Sequence, residues 1–177
     1  MNTPITVVST TNRQGSLSSQ VAHHYTVLLE QHGCPSQLLS LTDLPADFTA
    51  SALYERMGQN AAFNKLKDVM EAAQKYVFVV PEYNGSFPGV FKAFIDGLPY
   101  PQTFQQKQCA LVGVSKGPQG GTLAMSHLTD IFNYLGMHVL PRKLRLSGIQ
   151  DSQLSTILAN EHYVEQLHAQ AAEISSS

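Results

Sequence analysis

The sequence predicts an α/β fold, a parallel and doubly wound sheet with helices on both faces. Strand-like and helix-like segments alternate along the chain, which is typical of successive βαβ units. The run from Tyr76 to Val80 is apolar at every position, as expected for a strand that helices cover on both faces. Because 177 residues suit one compact core and no repeat or linker interrupts them, we expect a single domain over residues 1–177.

The individual elements follow from the apolar patterns and from the glycines and prolines between them. The predicted strands comprise residues 5–9, 37–41, 76–80, 110–115 and 137–140, with an extension through residue 146 as an alternative for the last. The predicted helices comprise residues 17–32, 61–74, 88–98, 122–135 and 151–172. Pro88 suits a first helical turn and Asp151 suits an N-cap. Residues 43–60 are predicted to be irregular, and residues 175–177 to be a loose tail.

The composition excludes several classes of function. The chain is 43% hydrophobic and 14% charged with a formal net charge of −2, which argues against disorder, nucleic-acid binding and an anionic membrane surface. No apolar stretch approaches the ~20 residues of a membrane span, and no signal-like segment opens the chain, so we expect a cytoplasmic protein. Cys34, Cys109 and the histidines lack metal-ligand spacing, so we expect free thiols and no metal.

The first loop of interest, residues 10–19, leaves a predicted strand and opens a helix. It is rich in hydroxyl side chains and carries Arg13. Helix N-terminal N–H groups, hydroxyls and a guanidinium together suit a phosphate, although an ordinary Ser/Thr-rich loop with an N-cap is the alternative. The loop has neither the Gly-Lys-Ser/Thr end of an NTPase phosphate loop nor the Gly-x-Gly-x-x-Gly dinucleotide pattern. A monophosphate ligand therefore fits it best.

Two further loops suit a flat heteroaromatic ring. Residues 81–89 can turn successive N–H groups toward a ligand, with Tyr83 as an aromatic wall and Asn84 as an amide for a polar ring edge. Residues 115–122 contain glycines that allow the backbone to approach a ring closely. Each of these loops alone also fits an ordinary turn. A phosphate loop and two ring loops at three strand ends together describe a mononucleotide site, for which FMN is the natural candidate.

These loops resemble those of the NADPH-dependent FMN reductases, a branch of the flavodoxin-like flavoproteins. The family's first loop reads Gly-Ser-x-Arg-x-Gly-Ser-x-Asn, and residues 10–18 read Thr-Thr-Asn-Arg-Gln-Gly-Ser-Leu-Ser. The family's second motif reads Pro-Glu-Tyr-Asn-x-[Ser/Gly]-x-Pro-Gly-x-[Leu/Phe]-Lys-x-x-[Ile/Leu]-Asp, and residues 81–96 match it throughout. The resemblance extends over roughly residues 5–140.

The resemblance implies a flavodoxin-like sheet of five parallel strands in the order 2-1-3-4-5. It implies that the FMN phosphate is held by Thr11, Arg13, Ser16 and Ser18. It implies that the isoalloxazine ring is lined by Pro81, Glu82, Tyr83, Asn84 and Gly85, and on another edge by Ser115, Gly117, Gly120 and Gly121. Thr10 and Ser18 replace the family's usual glycine and asparagine, and both retain a hydrogen-bonding group.

The implied activity is hydride transfer from NADPH or NADH to FMN, followed by reduction of a small acceptor such as a quinone, free flavin, azo compound or metal ion. The flavin performs this chemistry, so we assign no catalytic side chain. A flavodoxin-type electron carrier and a non-catalytic FMN-binding module are the alternatives. Helices 88–98 and 122–135 are apolar around more of their circumference than one sheet-facing stripe requires, so we expect a homodimer or homotetramer.

Overall fold

The computed structural model describes residues 3–177 and contains a sheet of five parallel strands. The strand order is β2-β1-β3-β4-β5, which confirms the predicted flavodoxin-like order 2-1-3-4-5. The strands are β1 (Ile5–Ser9), β2 (Ser36–Ser40), β3 (Lys75–Pro81), β4 (Gln108–Val114) and β5 (His138–Leu146). The extended alternative for the last strand is therefore the one that the structure adopts.

Helices cover both faces of this sheet. They are α1 (Leu17–Gln31), α2 (Phe48–Ser51), α3 (Ala61–Ala72), α4 (Gly89–Asp96), α5 (Thr122–Tyr134), α6 (Leu154–Leu158) and α7 (Glu161–Ser176). The side chains of α2 to α5 pack on one face, and those of α1, α6 and α7 pack on the other. Within residues 3–177, no helix is both long and apolar enough to cross a membrane.

The central strands are buried on both faces, as the run 76–80 predicted. Along β3, Tyr76 and Phe78 belong to the core under α4 and α5, whereas Val77 and Val79 belong to the core under α1 and α7. The Phe78 ring lies 5.5 Å from the Phe91 ring of α4 and 4.7 Å from the Phe132 ring of α5, measured between centroids. Such aromatic packing fixes α4 and α5 over the middle of the sheet.

The C-terminal region differs from the sequence prediction. The prediction of a single helix over residues 151–172 is wrong, because the helical conformation is interrupted between α6 and α7. Asn160 caps α7 by accepting a hydrogen bond from Tyr163 N. Asp151 lies before α6 and is not its N-cap. The predicted loose tail is also wrong, since α7 continues to Ser176 and Lys75 Nζ donates to the carbonyls of Ile174 and Ser175.

The structure also differs from the sequence prediction at the start of α4 and over residues 43–60. Pro88 stands at the N-cap of α4 in extended backbone, one residue before the first helical turn in which it was expected. Residues 43–60, predicted to be irregular, contain α2 and a short 3₁₀ turn, Tyr54–Arg56. This segment is packed rather than loose, because Phe48 stacks on Phe63 of α3 with 5.9 Å between ring centroids.

The edge strand β5 contains a register shift against β4. Cys109 pairs with Val139, but Leu111 pairs with Lys143, so three residues of β5 lie opposite one residue of β4. Gln170 of α7 fills the resulting gap, since its Nε2 donates to the carbonyls of Leu111 and Arg142 at 3.1 and 2.7 Å. Buried carbonyls that a shifted ladder leaves without partners are satisfied in this way.

Candidate functional site

A cavity of about 430 Å³ opens at the carboxyl ends of β1, β3 and β4. In parallel α/β sheets, this edge, where the strand order reverses, is where ligands bind. All three loops that the sequence singled out contribute to the cavity wall, and a fourth segment that follows β5 completes it. The structure therefore brings the predicted phosphate loop and ring loops together around one cavity.

The first loop supplies a hydroxyl cluster at the start of α1. Ser16 is the N-cap of α1, and its hydroxyl accepts from Ser19 N at 3.2 Å and lies 3.1 Å from the Ser18 hydroxyl. Arg13, Ser16 and Ser18 line the cavity, and Arg13 is exposed. Gly15, at φ +63°, makes the turn that leads into the helix. A positive helix end, hydroxyls and a guanidinium thus face the same space.

Thr11 does not line the cavity. Its side chain is fully buried, and its hydroxyl lies 2.8 Å from the Tyr83 hydroxyl and accepts from Arg13 N at 3.2 Å. Thr10 is also buried, with its hydroxyl donating to the carbonyl of Val79 on β3. The two threonines therefore fasten the first loop to β3 and to the second loop. The implied phosphate contact of Thr11 remains a prediction.

The second loop is a tight hairpin-like turn. Tyr83 N donates to Ser86 O at 2.7 Å, and Ser86 N donates back to Tyr83 O at 3.0 Å. Asn84 and Gly85 between them have φ of +50° and +73°, the combination that a type I′ turn requires and that Asn-Gly favours. Pro81, Glu82, Tyr83 and Asn84 line the cavity, whereas Gly85 closes the turn outside it.

Glu82 connects the second loop to the third. Its Oε2 accepts a hydrogen bond from Gly121 N at 3.2 Å, at the N-terminus of α5, where a carboxylate is electrostatically favoured. The Glu82 backbone N–H donates to Val114 O on β4 at 3.0 Å. The side chain and the backbone of Glu82 therefore hold the two ring loops at a fixed separation.

The third loop divides into a part that lines the cavity and a part that packs on the sheet. Ser115 and Gly117 line the cavity, and the Ser115 hydroxyl accepts from Gly117 N at 3.0 Å. Gly120 and Gly121 are buried outside it. A Cβ on Gly121 would lie 3.1 Å from the Cα of Gly113, so these glycines permit close packing of the loop against β4 and β5.

Sequence reasoning missed six lining residues, of which Gly15 and Leu17 belong to the first loop. Val114 and Lys116 flank Ser115, and Ile149 and Ser152 belong to the segment after β5. That segment is held against the third loop, since Gly148 N donates to Gly117 O at 3.1 Å and Gln150 Nε2 donates to Lys116 O at 2.7 Å. The sequence offered one indication of this segment, a glycine, Gly148, followed by the isolated apolar residue Ile149. Within residues 3–177, no group of three or more His, Cys, Asp or Glu side chains could hold a metal ion.

Comparison with known families shows which one this chain resembles over most of its length. A family model described as NADPH-dependent FMN reductase matches residues 3–151, which is most of the chain. The chain belongs to the NADPH-dependent FMN reductase family. The matched residues 3–151 include all three loops and the segment after β5, with the exception of the lining residue Ser152.

Individual relatives agree with the family. This FMN reductase family member is 32% identical over 114 residues to an NAD(P)H-dependent FMN reductase of Pseudomonas aeruginosa, covering 60% of this chain and 62% of that protein. It is 30% identical over 95 residues to an NADPH azoreductase of a Bacillus species, covering 52% of this chain and 53% of that protein. The chain thus spans only about three fifths of the first relative's length at matched positions.

The fold is shared with a solved flavoenzyme. The crystal structure of an NADH:FMN oxidoreductase in its apo form superposes with a TM-score of 0.80 at 20% sequence identity. The superposition covers 98% of this chain and 89% of that chain. This family member therefore has the architecture of that enzyme across nearly its whole described length.

The contact between the third loop and β4 can be tested by substitution. Gly121→Ala places a Cβ on a residue with φ +76°, 3.1 Å from the Gly113 backbone, and should lower the free energy of unfolding by more than about 1 kcal/mol. Gly117→Ala is the matched control, because its Cβ would meet only the Ser115 hydroxyl at 3.5 Å. Urea unfolding of both variants measures the difference, and equal losses would contradict this packing role.

Proposed function

We propose that the protein is an FMN-dependent NAD(P)H oxidoreductase that reduces a small acceptor such as a quinone, free flavin, azo compound or metal ion. The observation that carries this proposal is the single cavity that joins the Arg13 and Ser16 end to the Tyr83 and Gly117 end, in a member of this family. The named relatives reduce FMN and azo compounds, which supports a small, flat acceptor. We also propose a cytoplasmic location, consistent with two free cysteines.

The residues present fit FMN. The volume of about 430 Å³ lies within the range of roughly 300–1,000 Å³ that is usual for small-molecule sites. One end offers a helix N-terminus, hydroxyls and an exposed guanidinium, which suit a phosphate dianion. The other end offers an aromatic side chain, an amide and turn backbone, which suit a flat ring with polar edges. Arg13, Ser16 and Ser18 would hold the phosphate, and residues 81–84 and 115–117 would hold the ring.

Bound FMN would supply the redox chemistry by accepting hydride from the nicotinamide and passing electrons to the acceptor. The protein's part is positioning. Tyr83 and Asn84 border the ring end on the second loop, and Ser115 and Gly117 border it on the third. The Glu82 carboxylate is already engaged by Gly121 N, so we assign it to holding the loops and not to proton transfer. Backbone N–H groups of both loops would stabilise negative charge on the ring edge.

Turnover separates this proposal from its alternatives. The purified protein should show a flavin absorbance spectrum and should consume NADPH or NADH continuously when a quinone is added. A flavodoxin-type carrier or a non-catalytic FMN-binding module would show the spectrum without steady consumption. Flavodoxins are usually strongly acidic, which a net charge of −2 does not match. A flavin-loaded protein without turnover on either nicotinamide would overturn the proposal.

Arg13 provides a second test. Because hydrogen bonds to a charged group contribute about 1.5–3 kcal/mol, Arg13→Ala should weaken FMN binding by about tenfold to a hundredfold. The affinity for riboflavin, which lacks the phosphate, should change little. Arg56→Ala is the control, since Arg56 is an exposed arginine in the Tyr54–Arg56 turn, away from the cavity lining. Fluorescence titration measures each affinity, and equal wild-type affinities for FMN and riboflavin would refute the phosphate assignment.

We propose further that the protein is a homodimer or a dimer of dimers. The apolar residues of α4 that predicted an assembly do not support it, because Phe91, Phe94 and Ile95 are buried within the chain. The support comes from α5, where Leu123 is 52% exposed and Tyr134 is 79% exposed. A shallow and mainly apolar groove of about 370 Å³ separates α4 from α5. A second copy that packs on this face would bury these side chains.

Light scattering after size exclusion tests the assembly. The wild-type protein should elute as a dimer or tetramer at micromolar concentration, and Tyr134→Lys should shift it toward the monomer because a cation would lie in an apolar contact. Leu158→Lys is the matched control, since Leu158 is 38% exposed on α6, on the opposite face of the sheet. A folded wild-type monomer would refute the proposal.

A further inference from the structure

A second cleft lies beside the proposed FMN site, on the other side of the third loop. It encloses about 440 Å³ between α5 and the edge strand β5. Lys143 and Arg145 of β5 line one wall, and the hydroxyl side chains of Thr122, Ser126 and Thr129 on α5 line the opposite wall. The Thr122 and Thr129 hydroxyls donate to the carbonyls of Gln119 and Met125, which leaves the Ser126 hydroxyl as a donor to a ligand. Two cations facing this hydroxyl form a lining that suits an anion with several oxygens.

The two cations are free to bind a ligand. Neither Lys143 nor Arg145 takes part in an ion pair within residues 3–177, and Asp130, the carboxylate that also lines the cleft, lies beyond ion-pair distance from both. Their neighbour Arg142 points to the opposite face of β5, where its Nε donates to Glu173 of α7 at 3.0 Å. On the α7 face of β5, Arg142 is therefore paired with a carboxylate, whereas, within the described part of the chain, Lys143 and Arg145 on the α5 face are not.

The third loop connects this cleft to the proposed FMN site. Gly120 packs directly on Arg145, so that a Cβ on Gly120 would lie only 2.8 Å from the Arg145 Cβ. Gly117, three residues earlier, lines the cavity, and Thr122, two residues later, lines the cleft. Lys143 and Arg145 are two positions apart on one strand face, which places their Cα atoms about 7 Å apart. Both therefore lie close beside the third loop.

We infer, on the basis of the proposed function, that this cleft binds the 2′-phosphate of NADPH. A nicotinamide dinucleotide with its reactive ring in the FMN cavity can cross the third loop and place its adenosine end over β5. The 2′-phosphate is the group that distinguishes NADPH from NADH, and its charge matches the cations of the cleft. Arg145 would contact it with two parallel N–H bonds, Lys143 would add a point charge, and Ser126 would donate from α5.

Direct binding tests the cleft without relying on turnover. Titration calorimetry of the FMN-loaded protein with adenosine 2′,5′-bisphosphate and with 5′-AMP compares ligands that differ only in the 2′-phosphate. The bisphosphate should bind about tenfold or more tightly. Lys143→Gln and Arg145→Gln should each remove most of this difference, and glutamine at 145 retains the Cβ that contacts Gly120. Arg142→Gln, which removes the same charge from the other face of β5, should preserve it.

Kinetics supply the second measurement. In Arg145→Gln, the ratio of kcat/KM for NADPH to kcat/KM for NADH should fall about tenfold, with the value for NADH unchanged. Equal wild-type binding of the two adenosine ligands would overturn the inference, as would an equal loss in Arg142→Gln, because bulk electrostatics would then account for the effect. If neither nicotinamide is oxidised, the proposed function fails, and the calorimetric comparison still decides whether the cleft recognises a 2′-phosphate.

Discussion

The burial of β3 and β4 on both faces is the constraint on which the rest of the structure depends. Alternate residues of β3, such as Val77 and Phe78, pack into opposite cores, and the one hydroxyl among them, that of Tyr76, is hydrogen-bonded to the carbonyl of Met70 within the core. Polar side chains that have no such buried partner are accommodated where the strands end. The carboxyl ends are where the chain turns into α1, α4 and α5, and the first turns of α1 and α5 add unpaired N–H groups there. A polar cavity at this edge follows from an apolar sheet.

The loops around the cavity behave as one connected body. Thr11 joins the first loop to Tyr83, Glu82 joins the second loop to Gly121, and the third loop is joined to the segment after β5 by Gly117 and Gly148. The loops are thus held in position before a cofactor binds, which lowers the ordering cost of binding.

The sequence predicted the features that depend on local patterns. The strands, the sheet class and the loop positions follow from apolar runs and from turn residues, and the type of ligand follows from Arg13 and the hydroxyls near it. The roles of Gly120 and Gly121 could not be predicted in this way, because they depend on how closely the loop approaches Gly113 and Arg145 of distant strands. The break at Asn160 was missed because an asparagine within an otherwise helical pattern is recognised as a cap only when the turn before it is known.

The register shift in β5 has a consequence for the behaviour of the protein in a crowded solution. An edge strand offers a row of free backbone groups that can template a strand from another molecule. In β5 this row is interrupted, because the register shift disturbs the strand, Pro141 lacks an N–H, and Lys143 and Arg145 add like charges along it. Edge-to-edge pairing of β5 with a strand from another molecule is therefore disfavoured, which lowers the tendency of this exposed basic strand to start aggregation.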